Sequence, residues 1–151
     1  MAVYNVKTLK QGKYSPVNRK KYVGKNIDKI IYRSGLELKL MKIVDNSESI
    51  LEWSSEEVII PYIKPTTGRI HKYFMDFFIK KKLPDGTIKD YLVEVKPFDM
   101  LRPPKVPKRK TKRYFELIEA YSVNSAKWEA AKIFAEKNNM VFTIMTEKSL
   151  K

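Results

Sequence analysis

The fold is decided by residues 76–96, which read DFFIKKKLPDGTIKDYLVEVK. Apolar and β-branched residues predict two strands here, one running from about Ile70 to Lys81 and the other from Ile88 to Lys96. The residues between them, Leu83-Pro84-Asp85-Gly86-Thr87, are typical of a tight turn. The sequence therefore predicts an antiparallel β-hairpin.

The register of this hairpin brings three charged side chains together. If the turn is at residues 84–86, Asp76 lies opposite Glu94 to within one residue, and opposed residues have Cβ atoms about 4.5–5.5 Å apart. Lys96 follows Glu94 by two residues and shares its face of the strand. Two carboxylates this close repel each other unless one is protonated or a cation lies between them. Mg²⁺ or Mn²⁺ suits such oxygen ligands, whereas an ion pair between Lys96 and either carboxylate is the purely structural alternative.

The remaining elements predict an α/β (α+β) fold with a mixed β-sheet flanked by helices. A first helix is expected from Ser34 to about Asp45, with Ser34 as its N-cap and Glu37 at the capping-box spacing. Capping alone would explain Glu37, so a site role for it is an open alternative. The other expected elements are a β-rich stretch over Leu51–Ile63 whose apolar run ends at Pro61, helices over about Lys108–Tyr121 and Asn124–Asn138, and a strand at Val141–Met145.

Composition favours a protein that handles nucleic acid. The chain has 31 Lys and Arg against 17 Asp and Glu, a net charge of +14, which favours a polyanionic partner. No apolar run is long enough to span a membrane, and no Gly-rich loop indicates a nucleotide cofactor. We expect a soluble intracellular protein without cysteine chemistry. Residues 1–27 contain no acidic residue and are expected to form a basic N-terminal arm, followed by a single domain over residues 28–151.

A dense run of basic residues precedes and begins the first of the two expected C-terminal helices. Such a run lies along phosphates or is simply solvated, and cations at a helix N-terminus oppose the helix dipole, which suggests a use. Arg33, just before the first helix, is a further phosphate candidate. The residues predicted to bind DNA in the run are Lys105, Lys108, Arg109, Lys110, Lys112 and Arg113.

The acidic pattern resembles the PD-(D/E)xK nuclease superfamily. Asp76 matches the first acid of that motif and Glu94-Val95-Lys96 its E-x-K, with Met75 in place of the usual proline. The resemblance implies that Asp76, Glu94 and the backbone carbonyl of Val95 hold Mg²⁺, and that Lys96 acts on the attacking water. It also implies that Glu37 is the acid these enzymes carry on their first helix.

Longer stretches are similar to the head completion nucleases of T4-like tailed phages. The similar stretches are residues 32–37 (YRSGLE), 53–62, 71–77 (HKYFMDF), 91–97 (YLVEVKP) and 127–131 (KWEAA). The resemblance implies an Mg²⁺-dependent, largely sequence-nonspecific endonuclease that cuts double-stranded DNA, with phage portal and neck proteins as partners. Its expected location is the host cytoplasm during phage assembly, or the virion neck and head.

Two other functions remain open on the sequence. Arg33-Ser34-Gly35-Leu36-Glu37 and Pro61-Tyr62 are also similar to phage junction-resolving and transposon end-cutting endonucleases. The last alternative is a non-catalytic DNA-binding structural protein of the virion, in which the acidic cluster is only an ion pair.

Overall fold

The computed structural model describes residues 11–150, which form a mixed four-stranded sheet, two small two-stranded sheets, two α-helices and two short 3-10 helices. The central sheet has the strand order β3-β6-β7-β8, in which only the β7–β8 pair is parallel. The strands are β1 (Gly12–Tyr14), β2 (Ile30–Tyr32), β3 (Ile50–Ser55), β4 (Ile59–Lys64), β5 (Arg69–Phe74), β6 (Phe77–Lys82), β7 (Ile88–Val95) and β8 (Val141–Met145). The helices are α1 (Gly35–Asn46) and α2 (Lys112–Lys137). The predicted α+β class with a mixed, helix-flanked sheet is confirmed.

The hairpin of β6 and β7 has the predicted register. Phe77 pairs with Val93 and Lys82 with Ile88, so Asp76 and Glu94 continue the same ladder one step beyond the last pair of β6. The backbone N–H of Gly86 donates to the carbonyl of Leu83 and closes the turn, where Gly86 has a φ of +90°. Aspartate-glycine turns tolerate this left-handed backbone because glycine lacks a Cβ.

The strand predicted over residues 70–81 is wrong as a single element. It breaks at Met75 and Asp76, and its first half forms a separate two-stranded sheet in which β5 pairs with β4. The Met75 N–H donates to the carbonyl of Val58, while the Asp76 carbonyl accepts from Glu56. The backbone groups at the break are therefore satisfied by the neighbouring segment, and this long-range pairing leaves no local signal in the sequence.

The stretch predicted over residues 51–63 likewise splits, into β3 and β4. Pro61 does not end the apolar strand but lies within β4, opposite Lys72. In the described sheets β4 has a neighbour on one side only, and an edge strand tolerates proline because no second ladder needs its missing N–H.

The two predicted C-terminal helices are a single helix, α2, of 26 residues. The break was expected between Tyr121 and Asn124, where the intervening Ser122 and Val123 are weak helix formers. In the structure the Ser125 hydroxyl donates to the Tyr121 carbonyl, 2.9 Å away, and Val123 packs against the core. Tertiary packing thus overrides local propensity. The helix begins after Thr111, its N-cap, and not at Lys108.

Two apolar cores cover the two faces of the central sheet. Alternate residues of β6 and β7, Phe77 and Val93 among them, face α1 together with Trp53, which is fully buried. Leu92 faces the other way and packs with the inner face of the β4–β5 hairpin and with Ala131 of α2. The sheet is therefore covered on both sides, as its apolar strand sequences predict.

Residues 11–27 pack onto this domain over part of their length. β1 pairs with β2, and the buried carboxylate of Asp45 accepts hydrogen bonds from the Tyr14 hydroxyl and the Val17 N–H at 2.6 and 2.8 Å. Tyr22 is 6% exposed and belongs to the core beneath α1. Residues 1–10 and 151, which include part of the predicted arm, lie outside the described residues. The division of the chain at residue 27 stays a prediction. No helix among residues 11–150 is long and apolar enough to cross a membrane.

Candidate active site

A cleft of about 300 Å³ opens where β5, β6 and β7 meet at the break in the chain. Asp76 enters it because it immediately precedes β6, and Glu94 enters it from the end of β7. Four residues predicted for the site line the cleft: Arg33, Asp76, Glu94 and Lys96. The other lining residues are Glu56, Lys72, Tyr73, Phe74 and Lys127.

Asp76 is held by the backbone of the neighbouring strand. The N–H of Val95 donates to Oδ2 of Asp76 at 2.8 Å, which fixes the carboxylate against the end of β7. Burial raises the pKa of Asp76 well above its ordinary value, and repulsion from Glu94 raises it further, against the lowering effect of the Val95 N–H. The ionised form of Asp76 is therefore disfavoured by its surroundings.

Glu94 is 5% exposed and has two partners. The buried hydroxyl of Tyr73 donates to Oε1 of Glu94, and Nζ of Lys96 lies 3.6 Å from Oε2. Burial raises the pKa of Glu94, although the Tyr73 hydroxyl and the positive charges of Lys96 and Lys127 oppose the increase. The one ammonium at 3.6 Å from Glu94 cannot neutralise both carboxylates if both are ionised, so this cluster favours either a proton on Asp76 or a cation between the two acids.

Glu37 lies near these acids but is also engaged as a helix cap. Its Oε1 accepts from the backbone N–H of Arg33 at 3.1 Å, while its own N–H donates to the Ser34 hydroxyl. Burial raises the pKa of Glu37, and the charges of Glu56 and Glu94 add to the increase. Within residues 11–150, no three acidic or histidine side chains converge closely enough to form a preformed metal cage. The metal role of Glu37 stays a prediction.

The residues present fit a hard divalent cation at Asp76 and Glu94. Their carboxylates are close enough to repel each other and are buried enough to raise both pKa values. A cation between them would remove both costs, and carboxylate oxygens are the ligands that Mg²⁺ takes. The Lys96–Glu94 ion pair expected under the structural alternative is also present, but the positive charge of Lys96 only partly offsets Asp76, whose pKa stays raised.

An ion pair at the mouth of the cleft was not predicted. Nε and one terminal nitrogen of Arg33 contact the two carboxylate oxygens of Glu56 at 2.8 and 3.0 Å. Glu56 has a φ of +57°, a left-handed backbone that is uncommon for a residue with a side chain and is often found near functional sites. On the sequence, Glu56 and Glu57 lead into an apolar strand; a solvated strand start explains both, and an approach of one of them to the metal is the alternative. The contact with Arg33, 23 positions away, leaves no local signal.

Lys127 of α2 reaches the cleft from the other side. Its Nζ lies 5.4 Å from the ring centre of Tyr73 and 5.8 Å from that of Tyr62. Lys127 and Tyr73 come from distant parts of the chain, so the spacing of residues in the sequence does not predict that they meet near Glu94. The C-terminal helix thereby adds a positive charge beside Glu94.

The predicted basic run does not line the cleft. Lys105, Lys108, Arg109 and Lys110 lie in the irregular, exposed segment before α2, and only Lys112 and Arg113 belong to its first turn. The argument from the helix dipole therefore applies to the last two residues alone. Binding of DNA by this run stays a prediction.

Comparison with known proteins identifies the family of this chain. A profile of the family described as TnsA-like endonuclease N terminal matches residues 47–147. The chain belongs to this family. The TnsA-like match contains Asp76, Glu94 and Lys96 and begins after Glu37. The chain is also 37% identical, over 144 residues, to the head completion nuclease of Enterobacteria phage T4, which covers 93% of this chain and 93% of that protein. The predicted resemblance is thus confirmed, and with it the endonuclease fold of the TnsA-like family.

Proposed function

We propose that this protein is a metal-dependent DNA endonuclease that cuts with little regard to sequence. The observation that carries the proposal is the pair of carboxylates, half-buried Asp76 and buried Glu94, beside Lys96 in an open cleft. Two ionised acids in this position are costly for folding alone. Membership in an endonuclease family explains why the protein keeps these two acids in spite of their cost in stability.

Asp76, Glu94 and the backbone carbonyl of Val95 would hold Mg²⁺, with Mn²⁺ as a substitute and Glu37 completing or orienting the shell. When bound, such a cation supplies positive charge that offsets the two carboxylates and polarises the scissile phosphate.

The chain's own side chains position the reaction around this centre. As an ammonium, Lys96 places the attacking water and offsets negative charge that accumulates on the phosphate; in its neutral form it accepts the proton from that water instead. Tyr73 fixes one oxygen of Glu94, so that the other remains directed toward Lys96. Arg33 and Lys127 are positive groups at the rim of the same cleft and are suited to contact neighbouring phosphates.

The remaining surface favours binding to double-stranded DNA of any sequence. The net charge of +14 and the exposed run from Lys105 to Arg113 favour contacts to phosphates, which give affinity but carry no sequence information.

The biological role follows the similarity to the phage T4 head completion nuclease. We place the activity in phage head completion, on packaged DNA at the portal before the tail joins, with portal or neck proteins as partners. The site of action is then the host cytoplasm during assembly, or the neck and head of the virion.

Incubation of supercoiled and linear DNA with the purified protein tests this function. Cleavage is expected with Mg²⁺, and it is expected to stop with EDTA and in Asp76→Asn and Lys96→Ala, while both variants still bind duplex. If these variants cut as well as the parent, or if both lose folding equally, the acids and Lys96 form only a structural ion pair. A non-catalytic virion protein would also leave phage assembly unaffected by Asp76→Asn.

The family match favours one further candidate, an endonuclease for junctions or transposon ends. Cleavage rates on a four-way junction and on linear duplex of the same sequence distinguish the two. A strong preference for the junction would support the second candidate over head completion.

A further inference from the structure

The β4–β5 hairpin exposes an apolar face that the proposed catalytic groups do not use. Ile59 pairs with Phe74 and Ile63 with Ile70, and these four side chains are 45%, 49%, 63% and 74% exposed, respectively. Pro61 lies on the same face between the two pairs. Large side chains gathered on one face of a two-stranded ribbon usually mark an interaction surface.

The opposite face of the same hairpin is packed. Ile60, Tyr62 and Tyr73 are buried against α2 and its neighbours, which fixes the hairpin on the domain. The exposed face therefore does not result from a loosely attached segment. It is a largely apolar surface, with Lys72 opposite Pro61, that is directed away from the second core.

This face leads directly into the cleft. Lys72 and Phe74 belong to the exposed side of β5, and both also line the cleft that contains Asp76 and Glu94. A polymer threaded through the cleft toward the hairpin must pass over this side of β5. The surface is thus continuous with the proposed catalytic site.

The positive charge of the hairpin indicates that the polymer bound on this face is an anion such as DNA. Residues 58–75 contain Lys64, Arg69 and Lys72 but no Asp or Glu. A positively charged ribbon with apolar side chains between the charges is suited to a DNA groove, where the cations meet phosphates and the apolar groups meet sugars and bases. An acidic protein surface would match the charges but not the continuity with the cleft.

We infer that the exposed face of the β4–β5 hairpin is a DNA-docking surface that holds the duplex beside the scissile phosphate. Ile63 and Ile70 press against the floor or edges of a groove, while Phe74 contacts the nucleotides that enter the cleft. This inference rests on the proposed endonuclease function and adds the way in which its substrate is held.

The test measures binding of a fluorescent duplex by fluorescence anisotropy in an Asp76→Asn background, which removes cleavage. Ile63→Ser with Ile70→Ser is expected to weaken binding about tenfold or more, with an unchanged dependence on salt, because no cation is removed. Lys72→Gln is expected to lower the salt slope by about 0.9. Ile70→Ser alone gives a milder variant, and melting temperatures confirm folding.

Ile88→Ser is the matched control. Ile88 is a 58% exposed isoleucine at the start of β7, beside the β6–β7 turn and at the other end of that hairpin from Glu94. Binding as tight in the hairpin variant as in the parent, or an equal loss in Ile88→Ser, would overturn the inference while the endonuclease function stands. A change in oligomeric state caused by the hairpin variant would instead assign this face to a second copy of the chain. No DNA binding by the parent would overturn both proposals.

Discussion

At the scale of single residues, Asp76 is the clearest case of charge that opposes folding. Its pKa is raised by burial and by Glu94, so the ionised pair destabilises the folded protein when no cation is present. We predict that Asp76→Asn raises the melting temperature in EDTA at pH 7.5, by roughly 2–4 °C for each 1 kcal/mol relieved, and abolishes cleavage. Differential scanning calorimetry and a plasmid-nicking assay measure the two effects.

Glu48→Gln is the control for Asp76→Asn, since Glu48 is exposed and lies outside the cleft. It removes the same formal charge from a strongly basic protein. Removing a negative charge from a protein of net charge +14 adds to its overall repulsion, so Glu48→Gln is expected not to raise the melting temperature. An equal rise for both variants would mean that the carboxylate pair is not the source of the effect.

Tyr73 is expected to act through Glu94. Its hydroxyl donates to Oε1 of Glu94 from a side chain that is 4% exposed. Because outer-shell hydrogen bonds orient metal ligands, Tyr73→Phe is predicted to weaken Mg²⁺ or Mn²⁺ binding about tenfold. Isothermal titration calorimetry measures this affinity without relying on cleavage.

Tyr62→Phe provides the comparison for Tyr73→Phe. Tyr62 belongs to the same hairpin and also lies beneath Lys127, so the variant loses an equivalent hydroxyl in similar packing. If both variants lower metal affinity equally, the effect comes from general loosening of the hairpin and the role of Tyr73 is purely structural.

The residues predictable from sequence are those whose geometry is local. Asp76, Glu94 and Lys96 face one cleft because a short turn fixes their register. Tyr73 and Lys127 could not be identified in this way. They meet Glu94 only because a hairpin and a distant helix pack on the same face of the sheet.

At the scale of elements, the same distinction between local and long-range order holds. The β6–β7 hairpin and α1 were predictable since turn and cap residues lie within a few positions of the structure they form. The break before β6 and the continuity of α2 depend on backbone and apolar contacts from elsewhere in the chain. Single-segment propensity contains no information on such contacts.

The basic residues before and at the start of α2 are predicted to contact DNA phosphates. Neutralising Lys108, Arg109, Lys110 and Lys112 to Gln is expected to flatten the salt dependence of duplex binding, by about 0.9 in the slope of log K against log [salt] for each phosphate that the variant no longer neutralises. Titrations at several salt concentrations in the Asp76→Asn background measure the slope.

Lys81, Lys82 and Lys89 form the control set for that prediction. They lie at the turn end of the β6–β7 hairpin, away from Asp76 and Glu94. A slope that is unchanged in the first variant, or that falls equally in the control, would place the phosphate contacts elsewhere on the surface.

At the scale of the whole molecule, the central sheet lies between two cores, and the cleft of Asp76 and Glu94 opens at the start of β6 and the end of β7. The α1 side includes Tyr22 and Trp53, and the α2 side includes Tyr62 and Tyr73 of the β4–β5 hairpin. The cleft acids are thus supported from both sides, and their electrostatic cost bears on unfolding of the entire domain. The melting temperature of the whole domain is therefore expected to respond to protonation of Asp76 and Glu94 and to cation binding between them.

The last prediction concerns stability against pH. Asp76 and Glu94 have raised pKa values in the folded protein, so between about pH 4, where unfolded carboxylates titrate, and those raised values the folded state holds more protons than the unfolded state. The contribution of this pair to stability must therefore fall as pH rises through that window in EDTA. Saturating Mg²⁺ replaces the protons, and at 100 times its Kd it stabilises the fold by about 2.7 kcal/mol. Thermal melts from pH 4.5 to 8 should show a Mg²⁺-induced shift that grows with pH and is absent in Asp76→Asn. A shift equal at every pH, or retained in that variant, would place the cation elsewhere.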